Sequence, residues 1–211
     1  RILNVFGKHR ISPRHFIGTT GYGYGDDGRD ALDEVYRDIF GGESALVRPQ
    51  WVSGTHVLSD SLFALLRPGD ILLSVTGCPY DTLNDVIGIR EAVPGSLREW
   101  NVSYQEVDFS PEGNIDRDKI KEKLENKRIK TILIQRSKGY GWRKSLTVSE
   151  IGDTISFIRS LRPDVFILVD NCYGEFTEER EPSSVNADLT VGSLIKNPGG
   201  GLAPTGAYAV G

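Results

Sequence analysis

Two apolar runs that each end in a charged residue constrain the fold of this chain more than any other feature. Residues 166–171 lead into the carboxylate of Asp170, and residues 189–196 end in the amine of Lys196. Runs of β-branched and aliphatic residues like these are typical of parallel strands that are buried on both faces. Because open α/β sheets form their ligand sites at the carboxyl ends of the strands, the pattern predicts that Asp170 and Lys196 reach one edge of a sheet.

The rest of the chain alternates between strand and helix patterns. Apolar residues at helical spacing predict helices near 29–40 and 55–66, at 80–89 with Pro79 as the first helical residue, and after a capping box at 147–150. A charged, solvated surface helix is expected near 116–127. Strands are expected near 45–49, 70–75, 103–108, 130–136, 165–170, 188–193 and 206–210. The alternation predicts a mostly parallel seven-stranded sheet with helices on both faces, in one α/β domain (residues 19–211) after a short N-terminal segment (residues 1–18).

Composition excludes several classes of function. The net charge of the 211 residues is −4 and the basic residues are scattered, which argues against a nucleic-acid partner. No apolar stretch approaches the roughly 18 residues that span a membrane. Two cysteines form no disulfide framework, so a reducing, cytoplasmic location is expected. The three histidines lack metal-ligand spacing, and we expect no metal.

A lysine and an aspartate delivered by neighbouring strands match what pyridoxal 5'-phosphate (PLP) requires. The lysine forms a Schiff base with the aldehyde, and the aspartate keeps the pyridine nitrogen protonated. Asp170 could instead cap a helix or join a loop salt bridge, and Lys196 could be a surface lysine. The glycine-rich loop at 197–201, which lets the backbone approach a ligand closely, favours the cofactor interpretation.

The segment between the first strand and its helix is a candidate phosphate site. Ser53 would cap the helix, and Gly54 and Thr55 would leave free backbone N–H groups that bind phosphate with the help of the helix dipole. The alternative is an ordinary capped helix. The placement at the same sheet edge as Lys196 favours the phosphate site.

Further polar residues follow other strands of the predicted sheet. Tyr80, after the second strand, could stack on a flat cofactor ring and transfer a proton, or could simply pack on the sheet. Arg136 and Ser137 close the fourth strand and are expected to reach the site. The glycine-rich segment at 21–28 is neither a Walker nor a dinucleotide-binding motif.

Taken together, these residues resemble PLP enzymes of the aspartate aminotransferase fold, and within them the cystathionine/methionine gamma-lyase superfamily. The chain is most similar to the bacterial aluminium resistance, or methionine gamma-lyase-like, proteins. The resemblance rests on residues 20–24, 48–50, 53–56, 77–82, 135–137, 169–176 and 192–201.

The resemblance implies a role for each candidate residue. Lys196 would be the Schiff-base lysine and Asp170 the partner of the pyridinium. Tyr80 would stack on the ring and protonate the departing sulfur. Phosphate would be bound by four residues from two segments: Ser53, Gly54, Thr55 and Ser193. Tyr22 or Tyr24 would reach the cofactor of a neighbouring subunit, which implies a homodimer or homotetramer.

The implied activity is that of a carbon-sulfur lyase acting on a sulfur-containing amino acid. The resemblance also implies a C-terminal small domain, beyond residue 211, that carries the arginine for the substrate carboxylate. Two alternatives stay open at this point: PLP-dependent aminotransferase or aldolase chemistry, and a non-catalytic stress-response protein that keeps the fold.

Overall fold

The computed structural model describes residues 1–19, 22, 24–197 and 199–211. Its centre is one sheet of seven strands, each within a few residues of its predicted position. The strands are β1 (Ala45–Arg48), β2 (Ile71–Ser74), β3 (Ser103–Glu106), β4 (Ile129–Gln135), β5 (Phe166–Asp170), β6 (Leu189–Ser193) and β7 (Ala207–Val210).

The strand order is β1-β7-β6-β5-β4-β2-β3, which confirms a mostly parallel α/β sheet. β7 runs antiparallel to both of its neighbours, and the described pairs among β2 to β6 are parallel. Parallel pairing brings the carboxyl ends of β4, β5 and β6 together, with Gln135 directly beside Asp170 and Asp170 beside Val191. This edge therefore collects the polar residues that follow the central strands.

Helices cover both faces of the sheet, as the alternating pattern predicts. One face carries the two helices that follow β1 and β2, and the other carries the remaining long helices. The helices are α1 (Ile2–Lys8), α2 (Asp27–Phe40), α3 (Gly54–Leu65), α4 (Asp81–Ile87), α5 (Arg117–Leu124) and α6 (Val148–Leu161), with 3₁₀ turns at Pro13–Phe16 and Pro182–Val185.

Local signals place some helix ends correctly and miss others. The predicted capping box is present: Thr147 Oγ1 accepts the Glu150 N–H at 3.1 Å, and Glu150 Oε2 accepts the Thr147 N–H at 2.9 Å. The prediction for Pro79 is wrong, because α4 begins at Asp81 with Tyr80 as its N-cap. Proline before a cap is equally compatible with an extended backbone.

The charged helix α5 is only partly solvated. Ile120 and Leu124 are fully buried against α6 and the sheet. The prediction of a solvated helix is therefore correct only for the charged face. Two apolar residues four positions apart form the buried face and are sufficient to anchor a short helix.

Alternation along the strands separates the apolar core into layers. Leu133, Leu168 and Val191 pack under α3 and α4, whereas Ile134, Ile167 and Val169 face α5 and α6. A third layer, around Tyr208, joins α2 to β1 and β7. Because Asp170 lies two residues after Leu168, its side chain belongs to the face covered by α3. None of the described helices is both long and apolar enough to cross a membrane.

Candidate active site

Asp170 is a buried carboxylate at the carboxyl end of β5. It is 2% exposed, and its Oδ1 accepts the backbone N–H of Cys172 at 3.1 Å. Within the described part of the chain, no Lys or Arg nitrogen lies within ion-pair distance of it. Burial raises the pKa of Asp170, while the bonds from Cys172 and the charge of Lys196 act in the opposite direction. A buried acid without a bonded cation is the natural partner of a cation that comes from outside the protein.

Lys196 lies three residues beyond β6 and is half-buried. Its Nζ sits over the ring of Tyr173, 4.5 Å from the centroid. Burial alone would lower the pKa of Lys196, but the nearby Cys172, Tyr173 and Asp170 outweigh it and raise that pKa. The structure therefore brings the predicted lysine and the predicted aspartate within electrostatic range of each other.

The N-terminus of α3 points into the same region. Ser53 is its N-cap, and its Oγ accepts the His56 N–H at 3.2 Å. A Cβ added at Gly54 would lie 3.1 Å from Cys172 Sγ and 3.3 Å from Ser193 Cβ, so glycine lets the helix end approach β6 closely. The α3 helix has no acidic residue in its first turn, and its free N–H groups are suited to an anion.

Tyr80 lies over this edge from the N-terminus of α4. Its hydroxyl is 3.1 Å from Thr55 Oγ1, which is itself 3.1 Å from Thr82 Oγ1. Burial, and after it the charge of Asp170, raises the pKa of Tyr80 above its usual value. The phenol therefore stays protonated at neutral pH and can donate a proton.

Ser193 lies at the end of β6 and is fully buried. Its Oγ accepts the Ile195 N–H at 3.2 Å, which shapes the turn into Lys196. Of the loop predicted to follow, Pro198 falls outside the described residues.

The two tyrosines of the N-terminal glycine-rich segment are not in this cluster. Tyr22 and Tyr24 are 88% and 89% exposed, ahead of α2. Thr20, Gly21 and Gly23 lie outside the described residues. The described residues show neither tyrosine hydrogen-bonded to Lys196 or Asp170, so a role for Tyr24 on a neighbouring subunit stays a prediction.

The expectation that Arg136 reaches the site is wrong. The side chain is 3% exposed and binds Asn171 Oδ1 at 2.7 Å, the Gly174 carbonyl at 2.9 Å and Glu178 Oε1 at 2.6 Å. Asn171 is one residue beyond Asp170 and so points to the opposite face of the sheet. Arg136 therefore anchors the segment after β5 from behind the site.

Sequence reasoning also missed two functional candidates in that segment. Tyr173 contacts Lys196 from a backbone with a φ of 71°. Glu175 is 2% exposed and accepts a hydrogen bond from the Tyr208 hydroxyl at 2.8 Å. No sequence signal predicts a positive φ at a tyrosine, although both residues lie in the motif at 169–176.

Comparison with known proteins shows the family of the chain. The methionine gamma-lyase family model matches residues 1–211. An uncharacterized Bacillus subtilis protein, YnbB, is 52% identical over 212 residues, which cover 100% of this chain and 50% of that protein. A Listeria monocytogenes protein, named as a "putative cystathionine beta-lyase involved in aluminum resistance", has a solved structure that superposes with a TM-score of 0.95 at 49% identity, over 100% of this chain and 52% of that one.

A more distant structure supports the fold alone. A methionine gamma lyase from Micromonospora echinospora is 21% identical and superposes with a TM-score of 0.62 over 95% of this chain and 48% of that one. The fold is thus of the aspartate aminotransferase type. Within that class, the chain belongs to the methionine gamma-lyase family. It spans about half the length of the relatives it matches.

Proposed function

We propose that this protein is a PLP-dependent carbon-sulfur lyase that acts on a sulfur-containing amino acid. The observation that carries the proposal is the meeting of Lys196 and Asp170 at one sheet edge, between the N-terminus of α3 and the phenol of Tyr80. Membership of the methionine gamma-lyase family supports the same reaction class.

The residues present fit this cofactor on three counts. Asp170 is a buried carboxylate that lacks a bonded cation among the described residues, which suits a protonated ring nitrogen. Ser53, Gly54 and Thr55 start a helix that offers N–H donors to a phosphate, and Ser193 adds a hydroxyl on the adjoining strand. When bound, the cofactor supplies an electron sink for a carbanion at the substrate Cα.

In this proposal, Lys196 moves protons at the substrate Cα. Its amine is half-buried at the end of a flexible stem, and in the neutral form it can accept a proton. The buried charge of Asp170 lies within electrostatic range and favours a cationic partner on that side of the site.

Tyr80 would act on the sulfur leaving group. Its phenol is protonated because burial disfavours the phenolate. The hydrogen bond with Thr55 fixes the direction of the hydroxyl, so that a departing thiolate can receive the proton. A carbon-sulfur bond breaks more easily when its leaving group is neutralised in this way.

Assembly and location complete the proposal. Tyr24 would contact a second copy of the protein, in a homodimer or homotetramer in which it reaches the phosphate of the partner's cofactor, and its exposed side chain is compatible with that role. Residues 19–211 form the cofactor-binding domain, and the substrate carboxylate is bound by an arginine in a C-terminal small domain. The proposed setting is the cytoplasm, with amino acids rather than nucleic acid or membranes as ligands.

The experiment is an amino-acid screen of the purified protein with PLP. Cystathionine, methionine, cysteine and homocysteine are offered separately, and pyruvate, 2-oxobutyrate and released thiol or sulfide are measured. The proposal expects equal amounts of oxoacid and ammonia from at least one substrate, and a loss of that turnover in Lys196→Ala. Lys138→Ala, which removes another lysine near the same edge, is the matched control and should keep the activity. Transfer of the amino group to a keto acid, or no turnover at all, would overturn the lyase proposal.

A further inference from the structure

Tyr173 occupies a backbone conformation that tyrosine rarely adopts. Its φ is 71°, in the left-handed region, where a side chain with a Cβ is disfavoured. A strained residue of this kind persists only where its surroundings hold it, and such residues cluster at functional sites. The strain therefore needs a structural reason at this position.

The surroundings of Tyr173 hold it from both sides. Asn197 Nδ2 donates to the Tyr173 carbonyl at 3.3 Å, and the Gly174 N–H donates to the Asn171 carbonyl at 2.8 Å. Behind them, the buried guanidinium of Arg136 binds both Asn171 and the Gly174 carbonyl. The turn after β5 is thus locked in a shape that turns Tyr173 towards the site.

The result of this shape is the contact between the Tyr173 ring and the Lys196 ammonium, at 4.5 Å from the ring centroid. A cation over an aromatic face is stabilised by the ring quadrupole, and because Tyr173 is 58% exposed while Lys196 is half-buried, the contact lies at a partly exposed site. The other titratable groups that face Lys196 are Asp170 from β5 and Cys172 from the same turn, with Tyr80 reaching the cluster from the start of α4.

We propose that Tyr173 is a positioning residue that holds the Lys196 amine, as its ammonium form, over the tyrosine ring whenever that amine is not bonded to another group. The inference rests on the proposed function, in that it gives Lys196 the reactive role. It extends that function by giving the position of the free amine, over the Tyr173 ring, and the contact that favours its charged form.

The direct physical consequence is a higher affinity of Lys196 for its proton. A cation–π contact at a partly exposed site contributes up to about 1 kcal/mol, which corresponds to about a fivefold change in the protonation equilibrium. Removing the ring should therefore increase the neutral fraction of Lys196 about fivefold at any pH well below its pKa. Phenylalanine keeps the ring face and should keep the effect.

The test measures the pKa of Lys196 in the cofactor-free protein. Acetic anhydride labelling is quantified at Lys196 by peptide mass spectrometry across pH, with Lys138 as an internal reference. We expect the midpoint of the Lys196 profile in Tyr173→Leu to fall by about 0.7 pH units, and the profile of Tyr173→Phe to match the wild type. A change in accessibility alone would alter the plateau and leave the midpoint in place.

Tyr173→Gly keeps the experiment decisive if the leucine variant does not fold. Glycine adopts the positive φ without strain and removes the ring, so the same fall in midpoint is expected. An unchanged midpoint in both ring-free variants would overturn the proposal, and a Phe variant that behaves like Leu would show that the hydroxyl rather than the ring face is responsible. Loss of the proposed function would be seen separately, as failure of PLP to attach to Lys196 in the wild-type protein.

Discussion

Replacing Glu175 with glutamine should remove a large pH-dependent penalty on the stability of this protein. Glu175 is 2% exposed, and its Oε1 accepts the Tyr208 hydroxyl at 2.8 Å. Among the described residues, nothing donates to its Oε2. The buried cation Arg136 is bound to Glu178 and Glu181 instead. A carboxylate in this position is poorly solvated and uncompensated.

The magnitude follows from the displaced protonation equilibrium. Burial, reinforced by the charges of Asp170 and Glu181, raises the pKa of Glu175 from an ordinary 4.5 to about 8. At about 1.4 kcal/mol for each tenfold change, this difference corresponds to about 5 kcal/mol between the fully protonated and fully ionised limits.

The sign follows from which state binds more protons. Between pH 4.5 and 8 the folded protein holds the Glu175 proton and the unfolded chain has released it. The contribution of Glu175 to stability is therefore fully present below the unfolded pKa and is lost as pH rises towards the folded pKa. Glutamine is neutral throughout and has no such dependence.

The assay is urea unfolding of wild type and Glu175→Gln from pH 5 to pH 8. Relative to the variant, the wild type should lose about 3 kcal/mol of unfolding free energy over this range. Glu91→Gln, at an exposed glutamate, is the matched control and should run parallel to the wild type. If the stability of Glu175→Gln changes with pH in the same way as that of the wild type, Glu175 is not held protonated in the folded protein, and its raised pKa is contradicted.

Three further predictions concern the site itself. Asp170→Asn should still bind PLP, but its activation barrier should rise by several kcal/mol, where about 1.4 kcal/mol corresponds to a tenfold loss in rate. A kcat near that of the wild type would show that Asp170 has only a structural role. Gly54→Ala should weaken PLP binding, measured by equilibrium dialysis, because the new methyl would lie 3.1 Å from the Cys172 sulfur and crowd the N-terminus of α3. Gly7→Ala is the control, since nothing lies within 4 Å of the added methyl, and it should bind PLP normally. Mixing Tyr24→Phe with Lys196→Ala subunits should restore part of the activity, since hybrid dimers would contain one intact site, and a complete lack of recovery would count against a shared site.

The sequence predicts the parts of this structure that local pattern controls. The alternation of strand and helix patterns locates the seven strands, and the capping box locates the start of α6, because residue periodicity and capping depend on neighbouring residues. The meeting of Asp170 with Lys196 was also predictable, since parallel strands deliver their carboxyl ends to one edge.

The rest depends on contacts that no local pattern encodes. Asp170 is the last residue of β5, whereas Arg136 lies one residue beyond β4, so the arginine side chain lies on the opposite face, where Asn171 and Glu181 bind its guanidinium. Tyr173 reaches Lys196 only because its φ is positive, and that conformation is imposed by tertiary hydrogen bonds. The position of β7 as an antiparallel strand between β1 and β6 likewise follows from three-dimensional pairing.

Chemical trapping of the cofactor would show whether Lys196 carries it. The purified protein is saturated with PLP and reduced with borohydride, and the pyridoxyl group is located by peptide mapping. If Lys196 carries PLP, mapping should find a single modified peptide with the group on Lys196, together with loss of visible absorbance on reduction and no labelling in Lys196→Ala. A pyridoxyl group on any other lysine, or none under saturating PLP, would contradict it.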